Sequence, residues 1–225
     1  MSPHIATIKQ MYGVNASAIR KIYTQYLHGV YDQKLSQAFA EWKAQAINAS
    51  ALREGDNVMV FCCGSGNDFI HIQNKIGNTG RIVGVDFSSQ MLNLARQKIK
   101  HERWDNIELL EADVTMHANN QDLYYDAGIC TLGMSIIPEY MRAYHNLLSH
   151  IRSGGEVIIG DLQLVAGWRS LLNVRIIYRA KEFGGSYQGH KNTGRLFAVM
   201  EKQLSHIRKK HFYNNAYTYC IGTKP

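Results

Sequence analysis

Short apolar, β-branched runs punctuate the chain at residues 57–62, 81–86, 106–111, 125–131 and 155–160, and each predicts a strand. Between them the spacing becomes helical, over 67–76, over 88–100 with Met91, Leu92, Ala95 and Ile99 on one face, and over 139–151. Asp68 or Asn67 is placed to cap the first of these helices and Ser88 the second, while Arg152-Ser-Gly-Gly155 is placed to end the third on a glycine. Strands alternating with helices predict an α/β domain whose sheet is mainly parallel and covered on both faces. Residues 1–50 favour helix and carry Tyr12, Tyr23, Tyr26 and Tyr31. Near the other end, 208–213 and 216–223 alternate around Asn214-Asn215, a two-residue hairpin signal because both residues tolerate positive φ. An antiparallel hairpin is therefore expected to close the sheet.

Composition narrows this picture without changing it. With 225 residues, 45% hydrophobic and 19% charged, the chain suffices for one well-buried domain. It has no run of eighteen apolar residues, and Met-Ser-Pro-His-Ile-Ala at the start lacks the basic and apolar parts of a secretion signal. Cys62, Cys63, Cys130 and Cys220 show no zinc-type spacing, so reduced thiols and a cytoplasmic location are expected. His145 with His150, and His206 with His211, are spaced wrongly to share a helix face, and no metal is predicted.

Charge is uneven. From Leu162 onward there are eleven Lys/Arg against two Asp/Glu, in a chain of net charge +7. This basic quarter is either a solvated face or an attractor for an anionic substrate or an acidic membrane surface. Nucleic acid is not expected, because the one dense cluster, 205–211, runs directly into a strand pattern.

The chemistry concentrates where the first strand breaks. Cys63-Gly64-Ser65-Gly66 forms a glycine-bracketed turn, and Asp86 ends the second strand twenty positions after Gly66. Glycines let backbone approach a ligand closely, and a carboxylate at that distance accepts from ribose hydroxyls. A dinucleotide fingerprint requires a third glycine where Phe69 stands. A second acid, Asp113, ends Glu108-Leu-Leu-Glu-Ala-Asp113, where it can accept from an adenine amine. The loop offers no lysine for phosphates, so the expected ligand is an adenosine without them.

These residues resemble the class I S-adenosylmethionine-dependent methyltransferases over roughly 55–165, and more loosely to the end. The resemblance rests on Cys63-Gly-Ser-Gly66, Val83-Gly-Val-Asp-Phe-Ser-Ser-Gln-Met-Leu92, Ala112-Asp113 and Ile151-Arg-Ser-Gly-Gly155. Val30-Tyr-Asp32, Ser135-Ile-Ile-Pro-Glu139 and Tyr219-Cys-Ile-Gly-Thr-Lys-Pro225 are most similar to the branch that methylates quinone precursors and phospholipid or betaine-lipid headgroups. It implies a Rossmann-like class I methyltransferase fold, with a seven-stranded, mostly parallel sheet and a C-terminal antiparallel hairpin. It implies S-adenosylmethionine as cofactor, held by Cys63, Gly64, Ser65, Gly66, Asp86, Phe87, Met91, Asp113, Val114 and Thr131. One methyltransferase domain is then expected: an N-terminal helical lid (1–50), a cofactor-binding core (51–161), acceptor-pocket helices (162–206) and the hairpin (207–225).

Two departures stand in the same turn. Val60 replaces an acid that usually helps fix the methionine end of the cofactor, and Cys62 replaces the first glycine. The reaction expected is methyl transfer to a small molecule or lipid headgroup. The lost acid keeps two alternatives open, transfer or cyclisation through the aminocarboxypropyl arm and cofactor binding without turnover. Alignment and exclusion of water lower most of the barrier to a sulfonium displacement. Tyr23 and Tyr31 are candidates for the lid over the sulfonium, where aromatic rings offer cation–π attraction. Ser135, with Thr131, Met134 and His28, is a candidate on the acceptor side. Trp168, Arg175, Arg179 and Tyr187 point to an anionic or amphiphilic acceptor, with peripheral contact to an acidic membrane as a further expectation.

Overall fold

In the first strand, β1 (Asn57–Phe61), alternate residues serve two cores. Val58 and Val60 pack into one cluster, Met59 and Phe61 into the other, and all four are at most 1% exposed. A strand buried on both faces must be covered on both. The computed structural model, which describes residues 13–26, 37–116 and 124–225, shows how.

The strands β1, β2 (Arg81–Asp86), β3 (Ile107–Glu111), β4 (Tyr125–Thr131), β5 (Ile151–Leu162), β6 (Ser205–Phe212) and β7 (Tyr217–Thr223) form one sheet in the order β3-β2-β1-β4-β5-β7-β6. The first five run parallel, and β7 pairs antiparallel with both β5 and β6. This is the expected seven-stranded, mostly parallel sheet closed by an antiparallel hairpin. The helices, in chain order, are α1 (Ala16–Lys21), α2 (Gln37–Asn48), α3 (Phe69–Ile76), α4 (Ser89–Glu102), α5 (Tyr140–Ser149), α6 (Leu172–Ala180) and α7 (Tyr187–Gln203). α2, α3 and α4 contribute Ile47, Ile72 and Ala95 to the Val58/Val60 side. α5 and α7 contribute Tyr144, Leu147, Leu196 and Phe197 to the other. Strand order reverses between β1 and β4, so the connections leaving those two strands diverge and open a crevice at their carboxyl ends.

Four local expectations change. Ser88 does cap α4, accepting from the Met91 N–H at 3.3 Å, but Asp68 makes no capping bond to α3 because its carboxylate is engaged elsewhere. The 139–151 helix stops at Ser149, and Arg152-Ser-Gly-Gly155 belongs to β5. There Gly154, at φ +77°, gives its N–H to the Lys224 carbonyl at 2.8 Å, in place of a helical carbonyl. Tyr217 pairs with Phe212, so residues 213–216 all lie in the hairpin loop, with Tyr213, Asn214 and Asn215 at successive positive φ. Finally, 183–189 is not all loop: Ser186 accepts from the Gly189 N–H at 3.1 Å and starts α7 at Tyr187. α1 continues as a π-helical turn, Ile22–Tyr26, which carries Tyr23 into the crevice.

Candidate active site

Two cavities lie side by side at the carboxyl ends of the parallel strands. The first, of about 400 Å³, is bounded by the β1, β2 and β3 ends and by α1. Its floor is the glycine turn, with Gly64 at φ +53° and Gly66 at φ +75°. The Gly64 N–H donates to Asp86 Oδ2 at 2.9 Å, and the Ser88 N–H donates to Oδ1 at 2.9 Å. Asp86 therefore ties the turn to β2 while still bordering the cavity. Burial pushes its carboxyl up to about 6, against the lowering effect of those backbone N–H groups. Phe87, Val114 and Ile137 add apolar walls, and the Arg20 guanidinium sits 5.1 Å from the Phe87 ring centroid. Asp113 accepts from the Thr115 N–H at 2.9 Å and hydroxyl at 2.7 Å, and its Oδ2 lies 4.0 Å from Arg20.

This donor set fits an adenosine. A carboxylate with spare lone pairs can take two ribose hydroxyls, and flat apolar walls can flank a purine. No lysine lines the cavity, and its two arginines, Arg20 and Arg142, pair with Asp113 and Glu139. Cys62, held at φ +53°, also borders it. Its thiol is pushed well up by the Cys130 hydrogen bond and by burial, so it stays neutral and is no nucleophile.

The third-glycine position resolves sterically. The Phe69 ring is fully buried, and a Cβ on Gly66 would lie 2.6 Å from it, one on Gly84 2.8 Å. The two glycines make room for an aromatic ring where a dinucleotide turn would keep a third glycine.

The second cavity, of about 460 Å³, lies under α6, α7 and α2. Tyr23, Leu132 and Ile136 border both cavities, so these three side chains mark where they meet. Ser135 donates its N–H to Asp161 Oδ2 at 2.8 Å and its hydroxyl to Oδ1 at 2.8 Å. The Leu162 N–H donates to Oδ1 as well, at 2.7 Å. Asp161 is 1% exposed, and burial pushes it up to about 6 against those bonds. Arg175 and Arg179 are exposed on the wall, and neither has a carboxylate partner among the described residues.

Nine of the ten expected cofactor residues divide into two groups. Gly64, Asp86, Phe87, Asp113 and Val114 border the first cavity. Cys63, Ser65, Gly66 and Met91 stand behind it as the turn's support: Met91 Cε would lie 3.4 Å from a Cβ on Gly64, and the Cys63 N–H pairs with Val85. The Thr131 hydroxyl donates to buried Asp68, which in turn pairs with Lys43 at 2.8 Å. Of the acceptor-side expectations, Tyr23 donates its hydroxyl to the Phe183 carbonyl at 3.2 Å, Ser135 is spent on Asp161, and Met134 is core. Tyr31 and His28 lie outside the described residues. Trp168 is 81% exposed, and neither it nor Tyr187 borders either of these two cavities. Sequence reasoning missed Asp161, although an acid ending an apolar strand, like Asp86 and Asp113, was a visible signal. It also missed Arg20, Leu132, Ile136 and His190, which no local pattern marks.

The fold is the Rossmann-like one seen in S-adenosylmethionine-dependent methyltransferases. Solved structures of that class superpose over most of the chain. One is a SAM-dependent methyltransferase from Aquifex aeolicus, with TM-score 0.58 and 13% identity, covering 95% of this chain and all of its own. Another is phosphoethanolamine N-methyltransferase 2 of Haemonchus contortus with phosphomonomethylethanolamine and S-adenosylhomocysteine, with TM-score 0.66 and 13% identity, covering 90% of this chain and 60% of its own.

The chain belongs to the ubiE/COQ5 methyltransferase family, whose model matches residues 14–166. Among its relatives, the demethylmenaquinone methyltransferase of Listeria welshimeri is 27% identical over 146 residues, 64% of this chain and 61% of its own length. The chain thus spans about three fifths of the length of the curated relatives it matches. S-adenosylmethionine is the cofactor of this family and fold, and the adenosine fit of the first cavity agrees with it.

Proposed function

We propose that this protein is an S-adenosylmethionine-dependent methyltransferase whose acceptor is a small amphiphile carrying an anionic group. The observation that supports this best is the shared boundary of the two cavities. A ligand in the adenosine-type cavity and a ligand under α6 and α7 would abut at Tyr23, Leu132 and Ile136. When bound, the cofactor supplies an activated methyl group on a sulfonium.

The chain's own residues supply position and dryness. Asp86 holds ribose hydroxyls and Asp113 the adenine edge, while Leu132 and Ile136 exclude water where the ligands meet. Tyr23, anchored on Phe183, presents its ring at that junction. Asp161, oriented by Ser135 and bordering the acceptor cavity, is the carboxylate placed to take a proton from an acceptor hydroxyl or amine. Arg175 and Arg179 supply the charge that attracts an anionic acceptor. In this reading residues 162–206 wall the acceptor together with Phe39 and Trp42 of α2.

Peripheral membrane contact is part of the proposal. On α6 and the turns flanking it, Trp168, Leu171, Val174 and Tyr178 are 58–84% exposed and interleave with Arg169, Arg175, Arg179 and Lys181. Apolar and aromatic side chains interleaved with cations suit the headgroup region of an anionic bilayer. Among the described residues no helix is long and apolar enough to cross a membrane, so the contact would be lateral.

The test is to incubate the purified protein with S-adenosylmethionine and a lipid and small-molecule extract, and to identify the cofactor remnant by mass spectrometry. S-adenosylhomocysteine is expected. Methylthioadenosine would mean the aminocarboxypropyl arm moves instead, and unchanged cofactor would mean binding without turnover. Flotation with phosphatidylglycerol vesicles should bring the protein up at low salt, and Trp168→Ser with Leu171→Ser should abolish it. Failure of the wild type to float removes the membrane part alone.

A further inference from the structure

His190 lies in the first turn of α7, 1% exposed, on the wall of the acceptor cavity. Both ring nitrogens, Nδ1 and Nε2, are buried, and neither meets a hydrogen-bond partner among the described residues. Its backbone is fixed: the His190 N–H bonds the Ser186 carbonyl at 3.0 Å. The preceding Gly189 packs so closely that a Cβ there would lie 1.9 Å from the Ser135 carbonyl oxygen. The turn therefore has no room to slide the imidazole toward another group. Burial pushes the ring down to about 4, so at neutral pH it is uncharged, with one nitrogen donating and one accepting.

A buried polar group left without a partner is destabilising, and folded proteins rarely retain one without a use. Of the other buried polar side chains of this wall, Ser135 and Tyr23 are spent, and Asp161 is the base proposed above. Ser135 gives both of its donors to Asp161, and Asp161 receives three hydrogen bonds. Tyr23 is anchored on Phe183. Leu132, Ile136 and Phe183 add apolar surface to the cavity. An imidazole with unused hydrogen-bonding capacity in an apolar cavity is a recognition point for an oxygen. His190 lies beyond the stretch 14–166 that the family model matches.

We infer that His190 reads the acceptor: its imidazole hydrogen-bonds a hydroxyl or carbonyl oxygen on the apolar body of the ligand whose anionic end meets Arg175 and Arg179. Calling that ligand a methyl acceptor rests on the methyltransferase proposal; the hydrogen bond itself does not. His190 thereby selects oxygenated amphiphiles over hydrocarbon ones of the same shape.

The probes are 3-(4-hydroxyphenyl)propanoate and 3-phenylpropanoate, which differ by one hydroxyl, titrated calorimetrically into protein saturated with S-adenosylhomocysteine. Wild-type protein should prefer the hydroxylated probe by about tenfold. His190→Leu should bind both alike, with unchanged affinity for S-adenosylhomocysteine, and His190→Asn, which restores a donor and an acceptor, should recover part of the preference. Spectra of 15N-histidine-labelled wild type give a readout independent of any variant's folding. The His190 ring nitrogens should shift with the hydroxylated probe and not with its partner. Equal binding by wild type, no binding of either probe, an undiminished preference in His190→Leu, or an unmoved ring resonance would each overturn the inference. If S-adenosylhomocysteine itself does not bind, the methyltransferase proposal falls, and the same probe comparison on the protein alone still decides the role of His190.

Discussion

Lys43 Nζ stands 2.8 Å from Asp68 Oδ1, and both side chains are less than a tenth exposed. This buried pair joins α2 to the residue that ends the glycine turn, and Thr131 adds a hydrogen bond to the same carboxylate. The acid missing at Val60 is thus not the only carboxylate near the turn: Asp68 braces it from behind and Asp86 from β2.

Lys43→Met leaves Asp68 buried beside Thr131 without its cation. Breaking a buried pair from one side typically costs about 3–5 kcal/mol, whereas removing both partners can be close to neutral. Lys43→Met should lower stability by that order in urea unfolding, and adding Asp68→Asn should recover most of the loss. Equal stability of the single variant and wild type would show that the pair does not hold the turn.

Asp86 should make cofactor binding sensitive to pH. Its carboxyl is pushed up to about 6 by burial, and only the ionised form accepts freely from ribose hydroxyls. Below that value deprotonation must accompany binding, so affinity for S-adenosylhomocysteine should fall about tenfold between pH 7 and pH 5. Asp86→Asn should bind more weakly at neutral pH and show a nearly flat profile by calorimetry across the same range.

Asp161 makes a prediction about stability. Its folded value, about 6, lies above the ordinary 3.8, so the folded state holds its proton more tightly than the unfolded state does. That stabilisation is complete below pH 4 and is lost as pH rises through 6. The full difference is of order 3 kcal/mol. Unfolding free energies of Asp161→Asn should therefore decline less between pH 4 and 6.5 than those of wild type. Parallel curves would show that burial does not hold the proton on Asp161.

Gly66 and Gly64 both take positive φ, but only Gly66 faces a ring at 2.6 Å where a Cβ would go. Gly66→Ala should cost more than Gly64→Ala, by about 1–3 kcal/mol, because a steric clash with Phe69 adds to backbone strain. Thermal unfolding of the two variants side by side measures the difference.

The strands, the order of helices, the glycine turn and the two acids at strand ends were all readable along the chain. Each is written in contiguous residues: alternation sets a strand, a cap sets a helix start, and Gly64, Gly66 and Asp86 sit one βαβ unit apart. Errors fell where a local signal had two outlets. Gly154 was as apt for a strand irregularity as for a helix cap, and Asp68 found a cation before it found a helix. The cavity under α6 and α7 was invisible for a different reason. Tyr23, Ser135, Asp161 and His190 come from four separate parts of the chain and meet only when α6 and α7 fold back over the carboxyl edge of the sheet. Spacing along a sequence carries local geometry, and so it determined the fold and the glycine turn with its carboxylate. Which side chains face one another across a cavity depends on long-range packing, and only the tertiary structure decided that.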